Sequence, residues 1–319
     1  MKAMILAAGL GLRMRPLTTL CAKPALPVLN RPLIAWTLER LACHGIREVV
    51  VNTHHLPASV REAVGAARGL GLRVTFCHER RILGTAGGPR RVRHLLGPGP
   101  VLLVNGDVFF DFDLRALVRR HRAFGAAATL ALKPNPRPSV YGPVVTASDG
   151  RVRSIAGLPR RAAGRVSLFT GVHVVETALL ERLRPGVSDS VRDLYVPMVA
   201  AGERLLGVRV RGAWYDLGTP SLYLGAQMRL LARHRRGIVE ATARVESGAR
   251  VRRSVIGPGC VVGSGSRISD SVLWAGVTMG AGADVRRSVL ATGLRVAAGA
   301  RVAGSVGVPS RRGPRWSRI

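Results

Sequence analysis

A period of 17 residues governs the last quarter of the chain: VRRSVI at 251–256, ISDSVL at 268–273, VRRSVL at 285–290 and VAGSVG at 302–307. Within it an aliphatic residue returns after 5, 6 and 6 positions, at Val251, Ile256, Val262, Ile268, Leu273, Met279, Val285, Leu290, Val296 and Val302. Neither the 3.6-residue period of a helix nor the two-residue period of a strand produces that spacing. Three inward residues per period predict a triangular coil whose flat sides are short parallel strands, with glycines and small residues between them. One coil cannot bury its aliphatic face alone, so several must stack, at about the spacing of strands in a sheet. The regularity argues against a disordered glycine-rich tail. PSRRGPRWSRI breaks the period and is expected to be a mobile basic tail over 309–319.

The first part of the chain obeys other periods. Residues 2–8, 48–52 (EVVVN), 74–77 and 101–105 (VLLVN) read as strands, the last three as fully buried ones. Residues 33–44 have helical spacing, with Leu33, Trp36, Thr37, Leu38 and Leu41 on one face; 59–68 and 87–96 are further helices. Continuous apolar strands alternating with helices imply a mostly parallel sheet covered on both faces. Its ligand crevice would lie off the carboxyl ends of the strands. Residues 133–175, richer in Pro and Gly, predict shorter and partly antiparallel strands. The expected fold is therefore α/β: a Rossmann-like, mostly parallel sheet with helices on both faces over 1–236, then a left-handed parallel β-helix of hexad coils over 237–308.

No window reaches the roughly 18 uninterrupted apolar residues of a membrane helix. The opening MKAMILAAGLGLRMR is broken by Gly9 and Gly11 and closed by Arg13, so it reads as strand and loop rather than a secretion signal. Four dispersed cysteines without C-x-x-C fit a reducing cytoplasm and argue against a zinc site. The formal net charge of +31 points toward nucleic acid. Yet lysine occurs only at positions 2, 23 and 133, arginine is scattered throughout, and aromatics are 4%. That pattern fits a compositional preference better than a binding patch, so no specific nucleic-acid partner and no membrane is expected.

The chemistry concentrates in GLGLRMRPLTTLCAK at 9–23. It opens like a dinucleotide loop, G-x-G after a strand, but Met14 stands where a third glycine belongs. A glycine turn lets backbone N–H groups approach phosphate. Here Arg13 and Lys23 add a planar fork for phosphate oxygens and a compact mobile charge. Two such cations suit a step in which negative charge builds on a departing phosphate. Alone, the same residues also fit a tight turn with solvated arginines.

The longer stretch LAAGLGLRMRPLTTLCAKPALPV resembles the signature of sugar-1-phosphate nucleotidylyltransferases, with Leu12 for the usual Thr and Ala22 for the Pro before Lys23. LGTAGG (83–88), LLVNGDVFFD (102–111), YGPV (141–144), FTGVHV (169–174) and WYDLGTP (214–220) follow in family order. The coils resemble those of mannose-1-phosphate guanylyltransferases, and the opening residues resemble N-acetylmuramate-1-phosphate uridylyltransferases equally. The resemblance implies formation of an NDP-sugar and pyrophosphate from an NTP and a sugar 1-phosphate. It implies that Ala7, Ala8, Gly9 and Gly11 wrap the triphosphate, with Arg13 and Lys23 catalytic. Gly84, Thr85 and Gly87 would lie near the base, and Tyr141, Gly142, Thr170 and Gly171 near the sugar. Asp107 and Asp216 would coordinate Mg²⁺, a hard cation suited to carboxylates, phosphate oxygens and water. By itself N-G-D is also a turn, and Asp111 and Asp113 are expected to be merely solvated.

The family's E-K-P has no counterpart: SIAGLPRR places Gly157 and Leu158 before Pro159, with Arg160 or Arg161 as candidate replacements for the lysine. That departure keeps open a non-catalytic, NDP-sugar-binding regulatory paralogue. A hexad-coil acyltransferase is the third class, but the last histidine, His234, precedes the coils. His44, His54 and His55 read as structural or surface residues. The coils are expected to join copies of the chain or to modulate the first domain.

Overall fold

The computed structural model describes residues 1–160, 162–233 and 237–319. Arg161, His234, Arg235 and Arg236, which include the expected domain boundary and most of RHRR, lie outside the described residues. The chain forms two compact units, Met1–Leu10 with Ile34–Trp214, and Gly11–Leu33 with Tyr215–Ile319. Segment 11–33, expected to belong with the sheet, thus groups with the coils.

The first unit is built on a nine-stranded sheet. Its elements in chain order are β1 (Ala3–Ala7), α1 (Leu33–Cys43), β2 (Glu48–Thr53), α2 (Pro57–Gly65), β3 (Arg73–His78), α3 (Gly84–Arg91), β4 (Pro100–Asn105), α4 (Leu114–Phe124), β5 (Ala128–Lys133), β6 (Pro143–Thr146), β7 (Val152–Ile155), β8 (Arg165–Glu176) and β9 (Leu205–Arg209). The order is β7-β6-β8-β4-β1-β2-β3, with β5 pairing β8 and β9. The parallel run β4-β1-β2-β3 is the Rossmann-like half. Antiparallel β8, twelve residues long, joins it to the β5, β6 and β7 side, the partly antiparallel strands expected over 133–175, so the sheet is mixed. Val101–Val104 are buried, as strands covered on both faces must be.

Local rules set the helix ends. Pro57 opens α2, where its fixed φ and missing N–H cost nothing. Asp113 is not merely solvated: it caps α4, accepting from the N–H groups of Arg115 (2.8 Å) and Ala116 (3.1 Å), while Gly125 closes the helix at φ 58°. The Ala116 N–H holds the Asp113 carboxyl below its usual range, ahead of lesser help from Arg115, His44 and Arg119. A depressed carboxyl stabilises the fold above its unfolded pKa of about 3.9 and loses that effect as pH falls through the folded value. Asp113→Ala is therefore expected to destabilise the first unit by about 1 kcal/mol at neutral pH. In urea unfolding, the gap between variant and wild type should close below about pH 4.

In the second unit the 17-residue period becomes register. Three sheets of parallel strands stack coil on coil: Ile238, Val255, Val272, Val289 and Val306 align on one face. Arg244, Val261, Thr278 and Arg295 align on the second, and Arg250, Arg267, Asp284 and Arg301 on the third. This is the parallel β-helix expected, consistent with left-handed hexad coils. From Ile256 to Val296 the predicted aliphatic ladder is buried in one core, and Val251 and Val302 pack against its ends. Each such side chain contributes about 1.5–3 kcal/mol by leaving water. Arg253, Asp270, Arg287 and Gly304, each 17 residues apart, all have φ between 42° and 57°. That left-handed corner leads into a serine ladder: the N–H groups of Ser271, Ser288 and Ser305 donate to the hydroxyls of Ser254, Ser271 and Ser288.

The expected mobile tail is instead a strand. Arg315–Arg318 pairs antiparallel with Ser305–Val308 after a Ser310–Gly313 turn, and the Trp316 ring lies over Gly307. An open strand edge offers unpaired N–H and C=O groups. Pairing satisfies them, which a composition of Arg, Pro and Gly does not reveal.

Candidate active site

In the first unit the candidate residues gather at the carboxyl edge of the parallel strands. Ala7 ends β1 and is buried with Ala8, whereas Gly9 is exposed and a Cβ there would meet nothing within 4 Å. The turn opening α3 packs on loop 186–190: a Cβ on Gly84 would come within 2.5 Å of Ser188 O, and one on Gly87 within 2.2 Å of Gly186 O. The Ser188 carbonyl also accepts from Ala86 N–H at 2.9 Å. The Thr85 hydroxyl donates to Asp189 Oδ2 (2.9 Å) and accepts from Ser190 N–H (2.8 Å), so it is committed to the fold.

Beyond β4, Asp107 is half-buried in the turn after Asn105. Gly171, at φ 78°, sits on the Asn105 side chain so closely that a Cβ would lie 2.5 Å from Asn105 Nδ2. Thr170 is fully buried and its hydroxyl donates to Ala131 O at 2.8 Å, while its carbonyl accepts from Trp214 Nε1 at 2.9 Å. Trp214 meets Tyr141 edge-on, ring centroids 5.7 Å apart, and Gly142 beside it is exposed. Sequence reasoning missed Trp214, although it opens the quoted WYDLGTP. Where the family carries E-K-P, Ala156 (φ 53°) and Gly157 (φ 79°) form a two-residue hairpin turn closed by Ile155 and Leu158. Arg160 is exposed, and Arg161 lies outside the described residues.

The cationic half of the signature lies in the second unit. No α-helix follows the glycines: the chain makes three three-residue 3₁₀ turns, Leu12–Met14, Leu17–Thr19 and Lys23–Ala25. Gly11 starts the first at φ 66°, its carbonyl accepting from Thr18 Oγ1 at 2.9 Å. A Cβ there would lie 2.8 Å from Thr18 Cγ2 and 3.1 Å from Lys23 Cγ, which only glycine avoids. Met14, in the third-glycine position, is fully buried and anchors the turn. Without a helix there is no macrodipole to meet an anion, so positive charge comes from exposed Arg13 and half-buried Lys23. Arg13 and Asp216 flank Gly218: a Cβ there would fall 2.8 Å from Asp216 Oδ1 and 3.2 Å from Arg13 Nη2.

A helix and the coils fasten the residues that follow this segment. Helix α5 (Pro220–Leu230) supplies Gln227, which accepts from Leu29 N–H (2.9 Å) and donates to Pro27 O (2.7 Å). Tyr223 also donates to Pro27 O and accepts from Trp274 Nε1 at 3.0 Å, and Asn30 Nδ2 reaches Ile256 O at 2.9 Å.

His173, in FTGVHV, is fully buried, and burial pushes its pKa down to about 3, so the ring is neutral. His44 bridges Arg40 O and Asp113, and His54 bonds Glu79 O, as structural residues do. Among the described residues no three His, Cys, Asp or Glu side chains group as a metal cage. A carboxylate such as that of Asp107 or Asp216 has the hard-oxygen chemistry of a ligand to a cation that takes its other ligands from substrate phosphates and water, as Mg²⁺ does. All four cysteines are free, and among the described residues no helix is long and apolar enough to cross a membrane.

A nucleotidyl transferase family model matches residues 2–233, and a GlmU-like C-terminal hexapeptide model matches 232–310. A UTP–glucose-1-phosphate uridylyltransferase of Synechocystis sp. is 30% identical over 253 residues, covering 75% of this chain and 65% of the relative. The mannose-1-phosphate guanylyltransferase catalytic subunit beta of Dictyostelium discoideum is 30% identical over 227 residues, covering 70% and 63%. The beta-B form of Xenopus laevis is 29% identical over 241 residues, covering 74% and 66%. The matched region thus spans just under two thirds of these relatives' length.

Proposed function

Because this chain belongs to the nucleotidyl transferase family, we propose that it joins an NTP to a sugar 1-phosphate, releasing pyrophosphate. A phosphate oxygen of the sugar 1-phosphate attacks the α-phosphorus of the NTP. The new P–O bond forms as the bond to the β-phosphate breaks. A phosphate dianion is already a competent nucleophile, so no general base is needed, in keeping with the buried neutral His173. The protein's task is to bring two polyanions together and to meet the charge growing on the leaving group.

The observation that carries this reading is the signature segment itself. It is a glycine turn without a helix, with Arg13 beside Asp216 at Gly218 and the Lys23 stem against Gly11. Arg13 is assigned to the departing pyrophosphate and Lys23 to the reacting phosphates. Backbone at Ala7, Ala8, Gly9, Gly84 and Gly87 is assigned to the nucleotide, and Tyr141, Gly142 and Gly171 to the sugar. Asp107 and Asp216 are the proposed Mg²⁺ ligands; bound Mg²⁺ neutralises phosphate charge. The relatives' names favour GTP with mannose 1-phosphate or UTP with a hexose 1-phosphate. The unpaired cysteines fit action in the cytoplasm, and the coils are assigned to contacts between copies.

A matrix of NTPs against sugar 1-phosphates, read by coupled detection of pyrophosphate, tests the reading. One pair is expected to stand well above the rest and to need Mg²⁺. Nucleotide-sugar binding without pyrophosphate release would identify a regulatory paralogue, the alternative that the missing E-K-P favours. Consumption of acetyl-CoA would identify an acyltransferase.

A further inference from the structure

At the carboxyl edge of the first unit, two buried polar side chains outside the family motifs join the two backbone segments assigned to the nucleotide. The Ala7 N–H, ending β1, donates to Asn52 Oδ1 at 2.8 Å. Asn52 Nδ2 donates to Glu79 Oε1 at 2.7 Å, and Glu79 Oε2 accepts from Leu83 N–H at 2.9 Å, where the turn into α3 begins. Asn52 is 2% exposed and Glu79 1%. Glu79 is itself fixed through its backbone, its N–H donating to Thr53 O (2.8 Å) and its carbonyl 2.7 Å from His54 Nδ1. Gly88 packs directly on the pair: a Cβ there would lie 2.6 Å from Glu79 Oε1 and 3.0 Å from Asn52 Nδ2.

We infer that Asn52 and Glu79 are a positioning pair that sets the spacing between Ala7–Gly9 and Leu83–Gly88, and through it the affinity for the nucleotide. The inference rests on the nucleotidyltransferase reading above. The chain of donors fixes every atom's role. Ala7 N–H must donate, so Asn52 presents its oxygen there and its NH₂ to Glu79. Leu83 N–H must also donate, so Glu79 must accept at both oxygens. Apolar packing would hold the strands together without specifying this distance; a closed donor-acceptor chain specifies it. A buried donor left facing a donor carries the full cost of its lost partner.

Exchanging the amide and the carboxylate between the two positions tests the pair. In Glu79→Gln the amide has one acceptor oxygen for two donors, so one N–H opposes another. The apparent KM for the NTP, at saturating sugar 1-phosphate, is expected to rise by about tenfold or more, as a displaced binding wall predicts. The kcat and the KM for the sugar 1-phosphate should stay within about threefold. In the double variant Asn52→Asp with Glu79→Gln, the new carboxylate at position 52 accepts from Ala7 N–H and from the new amide at position 79. The oxygen of that amide accepts from Leu83 N–H. All three bonds return, the one between the two side chains with reversed polarity, and the nucleotide KM should return to within about threefold of wild type. Should E79Q not accumulate as folded protein, the folded double variant decides by the same KM. An E79Q protein with wild-type KM, or a double variant whose KM stays raised tenfold, overturns the proposal. A wild type that releases no pyrophosphate with any pair overturns the parent reading instead.

Discussion

Arg13→Ala lowers turnover by on the order of 10²-fold or more, with a smaller change in the KM for the NTP. The expectation follows from how the signature segment is built. Its turns are three residues long and 3₁₀ in type, so the aligned peptide dipoles of a helix are missing and a side chain must carry the charge. Arg13 is exposed, so its removal leaves no cavity, and Met14 and Leu17 keep the turn anchored in the core. An interaction that strengthens as pyrophosphate departs appears in kcat rather than in ground-state binding. Arg13→Lys retains the charge but not the planar fork, and should recover part of the loss. Turnover within a few-fold of wild type in the alanine variant would remove Arg13 from the mechanism.

The second large effect is expected at Asp107. Asp107→Ala should reduce Mg²⁺-dependent turnover by on the order of 10³-fold, near the background of a coupled assay. Asn105 continues to support Gly171 in that variant. Asp107→Asn separates charge from shape: it keeps the side-chain outline and removes the anion. The deciding measurement is a Mg²⁺ titration of initial rate. A titration curve unchanged in D107A would refute the assignment.

The parts of this structure legible in the sequence are those whose signal is periodic or contiguous. Strands β1, β2, β3 and β4 stand within a residue or two of their apolar runs, and the coil register reproduces the 17-residue spacing pair by pair. What was not legible depends on contacts distant in sequence. Nothing local in GLGLRMRPLTTLCAK says that the residues just after it, Pro27 and Leu29, are tied to Tyr223 and Gln227 rather than to the strand the segment leaves. Asn52 and Glu79 are 27 residues apart, and nothing in either local stretch says that one side chain holds the other. Thr85 and Thr170 entered as site residues through the family motifs, yet their hydroxyls serve Asp189, Ser190 and Ala131. A motif marks the neighbourhood of a site; which atoms face the ligand is decided by packing. The serines at 254, 271, 288 and 305 were visible as a repeat, but the acceptor role of the first three hydroxyls toward the next rung depends on the left-handed corner before each serine.

The strand at Arg315–Arg318 has a consequence for how the molecule behaves in company. A stack of parallel coils is a template, and any copy that could lay its own strand on the last rung would prolong it into a fibre. By turning back in the opposite direction and spreading an indole over Gly307, the chain gives that face a rung of the wrong polarity for another parallel coil. A further rung on that face would have to pair with this reversed strand instead of continuing the parallel stack.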